Sequence, residues 1–152
     1  ELQWEWLIRN PKASLMGCNR TLNSTSIITE RLIKPKSIKP IDLLWRNPFC
    51  TSGIVLKKEM KHRFPENKYY SEDFSIWADI ICDPEQQGYM SSSKLVVAFK
   101  NNNREGLSGN LKEMLKGELM VLKKISSNFD FPFLFVIVAS WSILKYVKRI
   151  LK

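Results

Sequence analysis

The chain has 152 residues, 44% of them hydrophobic and 26% charged; that is long enough for one domain with a real core and excludes a disordered composition. Its formal net charge of +9 gives a basic surface that attracts phosphates, whether on nucleic acid, anionic lipid or a nucleotide donor. Three widely spaced cysteines (Cys18, Cys50, Cys82) and a single histidine, His62, argue against a disulfide framework and a Cys/His zinc site, and fit a reducing compartment.

In chain order, LQWEWLIRN (2–10) carries apolar side chains at Leu2, Trp4, Trp6, Leu7 and Ile8, and Asn10-Pro11 ends the predicted helix. ASLMGC (13–18) predicts a short buried strand, the polar stretch 19–40 a loop, and IDLLWRN (41–47) a short helix stopped by Asn47-Pro48. TSGIVLKKEM (51–60) is the clearest strand pattern. A loop over 61–70 leads to a helix from about Ser71 to Cys82, broken by Asp83-Pro84. KLVVAFK (94–100) predicts a second strong strand and NNNREGLSGN (101–110) a loop, with Ser108 or Asn110 as cap of the next helix. From Leu111 onward, Met114, Leu115, Leu119 and Leu122 recur at helical spacing. The mixture predicts an α/β or α+β domain with a small sheet. Trp4, Trp6, Trp45 and Trp77 read as core, His62 as a solvated loop residue. The basic run Lys57, Lys58, Lys61, His62, Arg63 reads as a solvated strand end, with a phosphate patch as the other possibility.

The tail is distinctive. FPFLFVIVASWSIL (131–144) has no charge; as a helix it spans about 21 Å, short of the roughly 30 Å of a bilayer core. Lys145, Lys148, Arg149 and Lys152 follow as one charged stripe. Two readings stand: a helix at an anionic membrane interface, or a helix packed on the core with a solvated basic end. The chain accordingly divides into 1–128 and a C-terminal segment, 129–152.

RFPENKYYSEDFSIWADI (63–80) sets two adjacent carboxylates, Glu72 and Asp73, between Tyr69-Tyr70 and the apolar run of Phe74, Trp77 and Ile80. With Ser71 as N-cap, they occupy a first helical turn, where carboxylates are favoured by roughly 0.3–1 kcal/mol. The functional alternative is a general base mounted rigidly at a helix start, with rings nearby to hold a sugar face.

Several segments, taken in order, resemble the second half of an inverting glycosyltransferase of family 2: LQWEWLIRNPKASLMGC, NPFCTSGIVLKKEM, RFPENKYYSEDFSIWADI and KLVVAFKNNNREGLSGN. The acidic pair followed by a tryptophan is the most specific of them. The resemblance implies an incomplete α/β fold of the nucleotide-diphospho-sugar transferase type: a small mixed sheet, flanking helices and a C-terminal helical tail. It implies transfer of a sugar from a nucleotide sugar to a saccharide or lipid-linked acceptor, with inversion, in building a bacterial surface polysaccharide. Asp73 is then the base and Glu72 its companion. Tyr69 and Tyr70 line the acceptor side, and Thr51, Ser52 and Gly53 pass close to the donor sugar. Lys100 or Arg104 stands in for the family's pyrophosphate contact, since the usual Arg and His are replaced here.

A further departure concerns metal. None of the five aspartates (Asp42, Asp73, Asp79, Asp83, Asp130) is two residues from another, so the Asp-x-Asp that would hold Mg²⁺ or Mn²⁺ against a diphosphate is expected upstream of Glu1, in a longer protein. On that expectation the chain alone shows no transfer. The expected location is the cytoplasmic face of the cell membrane, peripherally bound. The rival class is a non-enzymatic basic module binding anionic membrane or nucleic acid. Nucleic acid is disfavoured because the aromatic residues do not alternate with the basic ones as stacking platforms would.

Overall fold

The computed structural model describes residues 1–22, 31–66, 70–98 and 109–151. Among these, four strands form one mixed sheet: β1 (Ala13–Leu22), β2 (Lys36–Ile38), β3 (Ile54–Leu56) and β4 (Gln87–Ala98), in the order β2-β4-β1-β3. The two long central strands, β1 and β4, run parallel, while β2 and β3 are antiparallel edges. Five helices accompany them: α1 (Leu2–Arg9), α2 (Pro40–Trp45), α3 (Glu72–Cys82), α4 (Leu111–Ser126) and α5 (Leu134–Ile150). The architecture is a small mixed sheet with flanking helices and a C-terminal helix, within the mixed α and β class with a small sheet expected from the element pattern.

Alternation along β1 sorts the core into two layers, because successive strand side chains face opposite sides. Leu15 points to the larger cluster, with Leu43 and Leu44 of α2, Phe74, Ile76, Trp77 and Ile80 of α3, Val121, Leu122 and Ile125 of α4, and Val138 of α5. Met16 points to the smaller one, with Leu7 of α1 and partly buried Trp6 and Tyr89. Helix α3 is buried on most of its circumference. Each large side chain fully buried there contributes on the order of 1.5–3 kcal/mol relative to exposure.

All three predicted strands have different bounds. The 13–18 strand continues to Leu22, and the second strong strand starts at Gln87 rather than Lys94. The serines of SSS look loop-like, yet Ser91 and Ser93 are buried and satisfied. Ser91 Oγ donates to Ile33 O (2.7 Å), and Ser93 Oγ donates to Arg31 O (3.1 Å) and accepts from Ile33 N (2.6 Å). These bonds anchor part of the stretch predicted as loop over 19–40, which also contains β2. The strand predicted over 51–60 is reduced to Ile54–Leu56. Thr51–Gly53 form a 3-10 turn closed by Gly53 N to Cys50 O (2.7 Å). Residues 99–108, including most of the loop predicted at 101–110, lie outside the described residues.

The tryptophan expectation holds for Trp77 and fails for Trp4 and Trp45, which are close to half exposed. Both sit on short helices, α1 and α2, whose inner faces are filled by Leu7 and by Leu43 with Leu44. Among the described residues no helix is long and apolar enough to cross a membrane.

Candidate functional site

Helix α3 starts as predicted, but its cap is built differently. Ser71 occupies the N-cap in a left-handed conformation (φ 56°) and makes no side-chain capping bond. A non-glycine residue there is strained by roughly 1–2 kcal/mol. Ser71 is buried, its hydroxyl turned to Met114 O of α4 at 3.4 Å. What holds it is close packing: α4 passes so near that a Cβ on Gly117 would lie 2.7 Å from Tyr70 O and 2.8 Å from Ser71 Oγ.

This turn delivers Asp73. Its Oδ1 accepts from the Phe74 N–H at 2.6 Å and its Oδ2 accepts from the Thr51 hydroxyl at 2.6 Å. The carboxylate is therefore oriented at both oxygens, within the first turn of a helix whose dipole favours negative charge. Asp73 lines a cleft of about 300 Å³ whose walls come from four helices. Arg46 and Asn47 follow α2; Ser71, Asp73 and Phe74 open α3; Met114 and Glu118 come from α4; Lys145 and Arg149 come from α5. Lys145 Nζ is bonded to Glu118 Oε1 at 2.9 Å. Arg46 and Arg149 have no side-chain partner among the described residues, so the cleft presents one oriented carboxylate beside two guanidinium groups. That arrangement suits a ligand carrying both an acidic proton or hydroxyl and an anionic group.

The other sequence-derived candidates are dispersed. Glu72 is half-buried, without a hydrogen-bond partner among the described residues, and does not line this cleft. Tyr70 abuts Gly117 through its carbonyl rather than lining the cleft. Ser52 Oγ sits 3.2 Å from Cys50 Sγ. Gly53 is buried where a Cβ would lie 2.8 Å from Cys18 O, so the turn can lie against β1 only without a side chain. Tyr69, Lys100 and Arg104 lie outside the described residues. Sequence reasoning missed Arg46, Glu118, Lys145 and Arg149, which reach the cleft from three separate elements. The signal for two of them was the four-residue spacing of Lys145 and Arg149, one helix face.

His62 is not the solvated loop residue that was expected. Its Nε2 lies 2.9 Å from Asp83 Oδ2, on a carboxylate that also takes Lys61 Nζ (2.8 Å), Gln86 Nε2 (3.0 Å) and Glu85 N (2.9 Å). The Lys61 ammonium, the Glu85 N–H and His62 hold the Asp83 carboxyl far below the usual carboxylate range. Two more of the basic run are committed, and only Lys58 is left exposed without a side-chain partner among the described residues: Lys57 Nζ bonds Asn10 O and Pro11 O, each at 3.0 Å, and Arg63 folds back onto Met60, His62 and Lys58 carbonyls. Lys57, Lys61, His62 and Arg63 thus brace turns of their own chain instead of gathering into a phosphate patch. Among the described residues no group of three or more His, Cys, Asp or Glu is placed to hold a metal ion, so the divalent ion implied by the resemblance finds no ligand set there.

Comparison of the chain with models of known protein families, with curated proteins and with solved structures finds no match in any of the three.

Proposed function

We propose that this chain is the acceptor-side part of an inverting glycosyltransferase, with Asp73 as the general base. The observation that carries the reading is the Asp73 carboxylate, held at both oxygens at a helix start and facing a cleft also lined by two arginines that have no side-chain partner among the described residues. In this reading the sheet and helices are the second half of a nucleotide-diphospho-sugar transferase fold. An acceptor hydroxyl enters the cleft and hydrogen-bonds to a remaining lone pair of Asp73. As its oxygen attacks the anomeric carbon, its proton passes to the carboxylate. The bond from that carbon to the nucleotide diphosphate breaks, and the electron pair leaves with the diphosphate. Arg46 and Arg149 attract an anionic part of the acceptor or the departing diphosphate. Thr51 is then a positioning residue, fixing which oxygen of Asp73 faces the substrate. The strain at Ser71 fits this role, since local strain concentrates where a functional group has to be held in place.

The test uses the full-length protein, a panel of nucleotide sugars and saccharide or lipid-linked acceptors. Asp73→Asn keeps the shape and removes the base. Transfer is expected to drop by about 10²–10⁴-fold, while nucleotide-sugar binding, followed by equilibrium dialysis, stays unchanged. Turnover equal to the wild type rejects Asp73 as the base.

A further inference from the structure

Among the described residues, helix α5 is attached to the rest of the protein along one side. Val138 and Ser142 are buried against the core, and Lys145 and Arg149 continue that same side into the Asp73 cleft. The opposite side carries Val136, Ile137, Trp141, Leu144, Val147 and Leu151, between 44% and 80% exposed. At 100° per residue these six fall within one half of the wheel, with Ser140 and Lys148 the polar residues among them, so they form an apolar face rather than scattered side chains. Phe131 and Phe133, stacked edge to face and exposed, extend it beyond the helix start. A patch of this kind marks an interaction surface.

Charge decides between occupants. Helix α5 contains no acidic residue, and the chain as a whole carries +9. Lys148 stands within the apolar face and lines a groove with Trp141, Leu144, Val147 and Leu151, into which Lys145 also reaches from the edge of the inner side. A lysine so placed can lay its stem on apolar surface and reach outward with its ammonium, the arrangement by which lysine bridges hydrocarbon and headgroups. A second copy would set lysine against lysine and one basic chain against another. An anionic bilayer satisfies both halves of the face at once. With 17 residues the helix is about 26 Å long, and it is too short and too charged at its end to span; it lies in the interface plane.

We propose that the outward face of α5 docks on an anionic lipid bilayer, with Trp141, Leu144, Val147 and Leu151 inserted and Lys148 at the headgroups. The inner side of the helix lines the Asp73 cleft, so docking sets that cleft about one helix diameter, roughly 10 Å, from the lipid surface. The docking does not depend on the chemistry assigned to Asp73.

Sedimentation of the whole chain with vesicles tests it. Binding is expected to vesicles of phosphatidylcholine mixed with phosphatidylglycerol, and to weaken about tenfold when phosphatidylglycerol is omitted or salt is raised. Trp141 emission is expected to shift to the blue on binding, a change lost in Trp141→Phe. The double variant Leu144→Glu, Val147→Glu alters exposed side chains only; it is expected to keep its circular dichroism spectrum and to lose vesicle binding. A chain that fails to sediment with anionic vesicles overturns the proposal, as does a double variant that binds as well as the wild type. A dimer in light scattering that the double variant dissolves, without lipid binding, assigns the face to a second copy and overturns it equally.

Discussion

The Thr51 hydroxyl donates to Asp73 Oδ2 at 2.6 Å, joining the 3-10 turn ahead of β3 to the first turn of α3 across 22 positions of sequence. The bond ties Thr51, which the resemblance places close to the donor sugar, to the candidate base. It fixes the rotation of a carboxylate whose other oxygen is already held by the Phe74 N–H.

If Asp73 is the base, Thr51→Val is expected to lower kcat about tenfold with little change in the acceptor KM, the loss of one charge-assisted hydrogen bond worth about 1.5 kcal/mol. Thr51→Ser keeps the donor and restores most of the rate. Steady-state kinetics on the full-length protein check it; a Thr51→Val enzyme with unchanged kcat removes Thr51 from the positioning of the base.

Gly117→Ala carries an unusual sign. An alanine inside an exposed helix normally stabilises by about 1 kcal/mol relative to glycine. Here the new methyl would meet backbone, Tyr70 O at 2.7 Å, together with the Ser71 side chain. The expected outcome is a loss of about 1–3 kcal/mol, read from the urea midpoint, because α4 has to move away from the turn that starts α3.

Asp83 predicts an acid-sensitive fold. Its carboxyl is depressed in the folded state by Lys61, the Glu85 N–H and His62. The stability it contributes is therefore fully present above the unfolded carboxylate value of about 3.9 and is lost as pH falls through the depressed folded value. Urea midpoints measured against pH are expected to fall steeply below about pH 4. In Asp83→Asn that fall is shallower and the neutral-pH plateau lower. Identical pH curves for the two proteins would show that the cluster does not couple to folding.

The three thiols differ in reach. Cys18 is fully buried and its thiol is pushed up chiefly by burial; Cys82 is half-buried and also pushed up chiefly by burial; Cys50 is half-buried beside Ser52. Alkylation of the native protein near neutral pH is expected at Cys50 first, at Cys82 more slowly, and at Cys18 only on unfolding. Peptide mapping by mass spectrometry gives the order.

Local pattern carried much of the fold. The helices α1, α3, α4 and the tail follow from apolar spacing, from Asn110, whose side chain accepts from Glu113 N at 3.2 Å, and from stops such as Asp83-Pro84. Where the reading failed, long-range partners had changed a residue's meaning. Ser91 and Ser93 are strand residues because the 31–33 segment satisfies their hydroxyls, and His62 is half-sequestered because Asp83 waits 21 residues away.

By itself, the sequence determined that a helix begins near Ser71 with Glu72 and Asp73 in its first turn, and that an uncharged run precedes a basic tail, since both depend only on neighbouring residues and helical spacing. Tertiary structure alone decided which of the two carboxylates faces a cleft, which arginines stand beside it, and which side of the tail is left without cover. Those outcomes depend on four helices meeting at one place, and on Gly117 letting α4 approach the Ser71 turn. Contacts between segments tens of residues apart leave no local pattern, so they become visible only once the chain has packed.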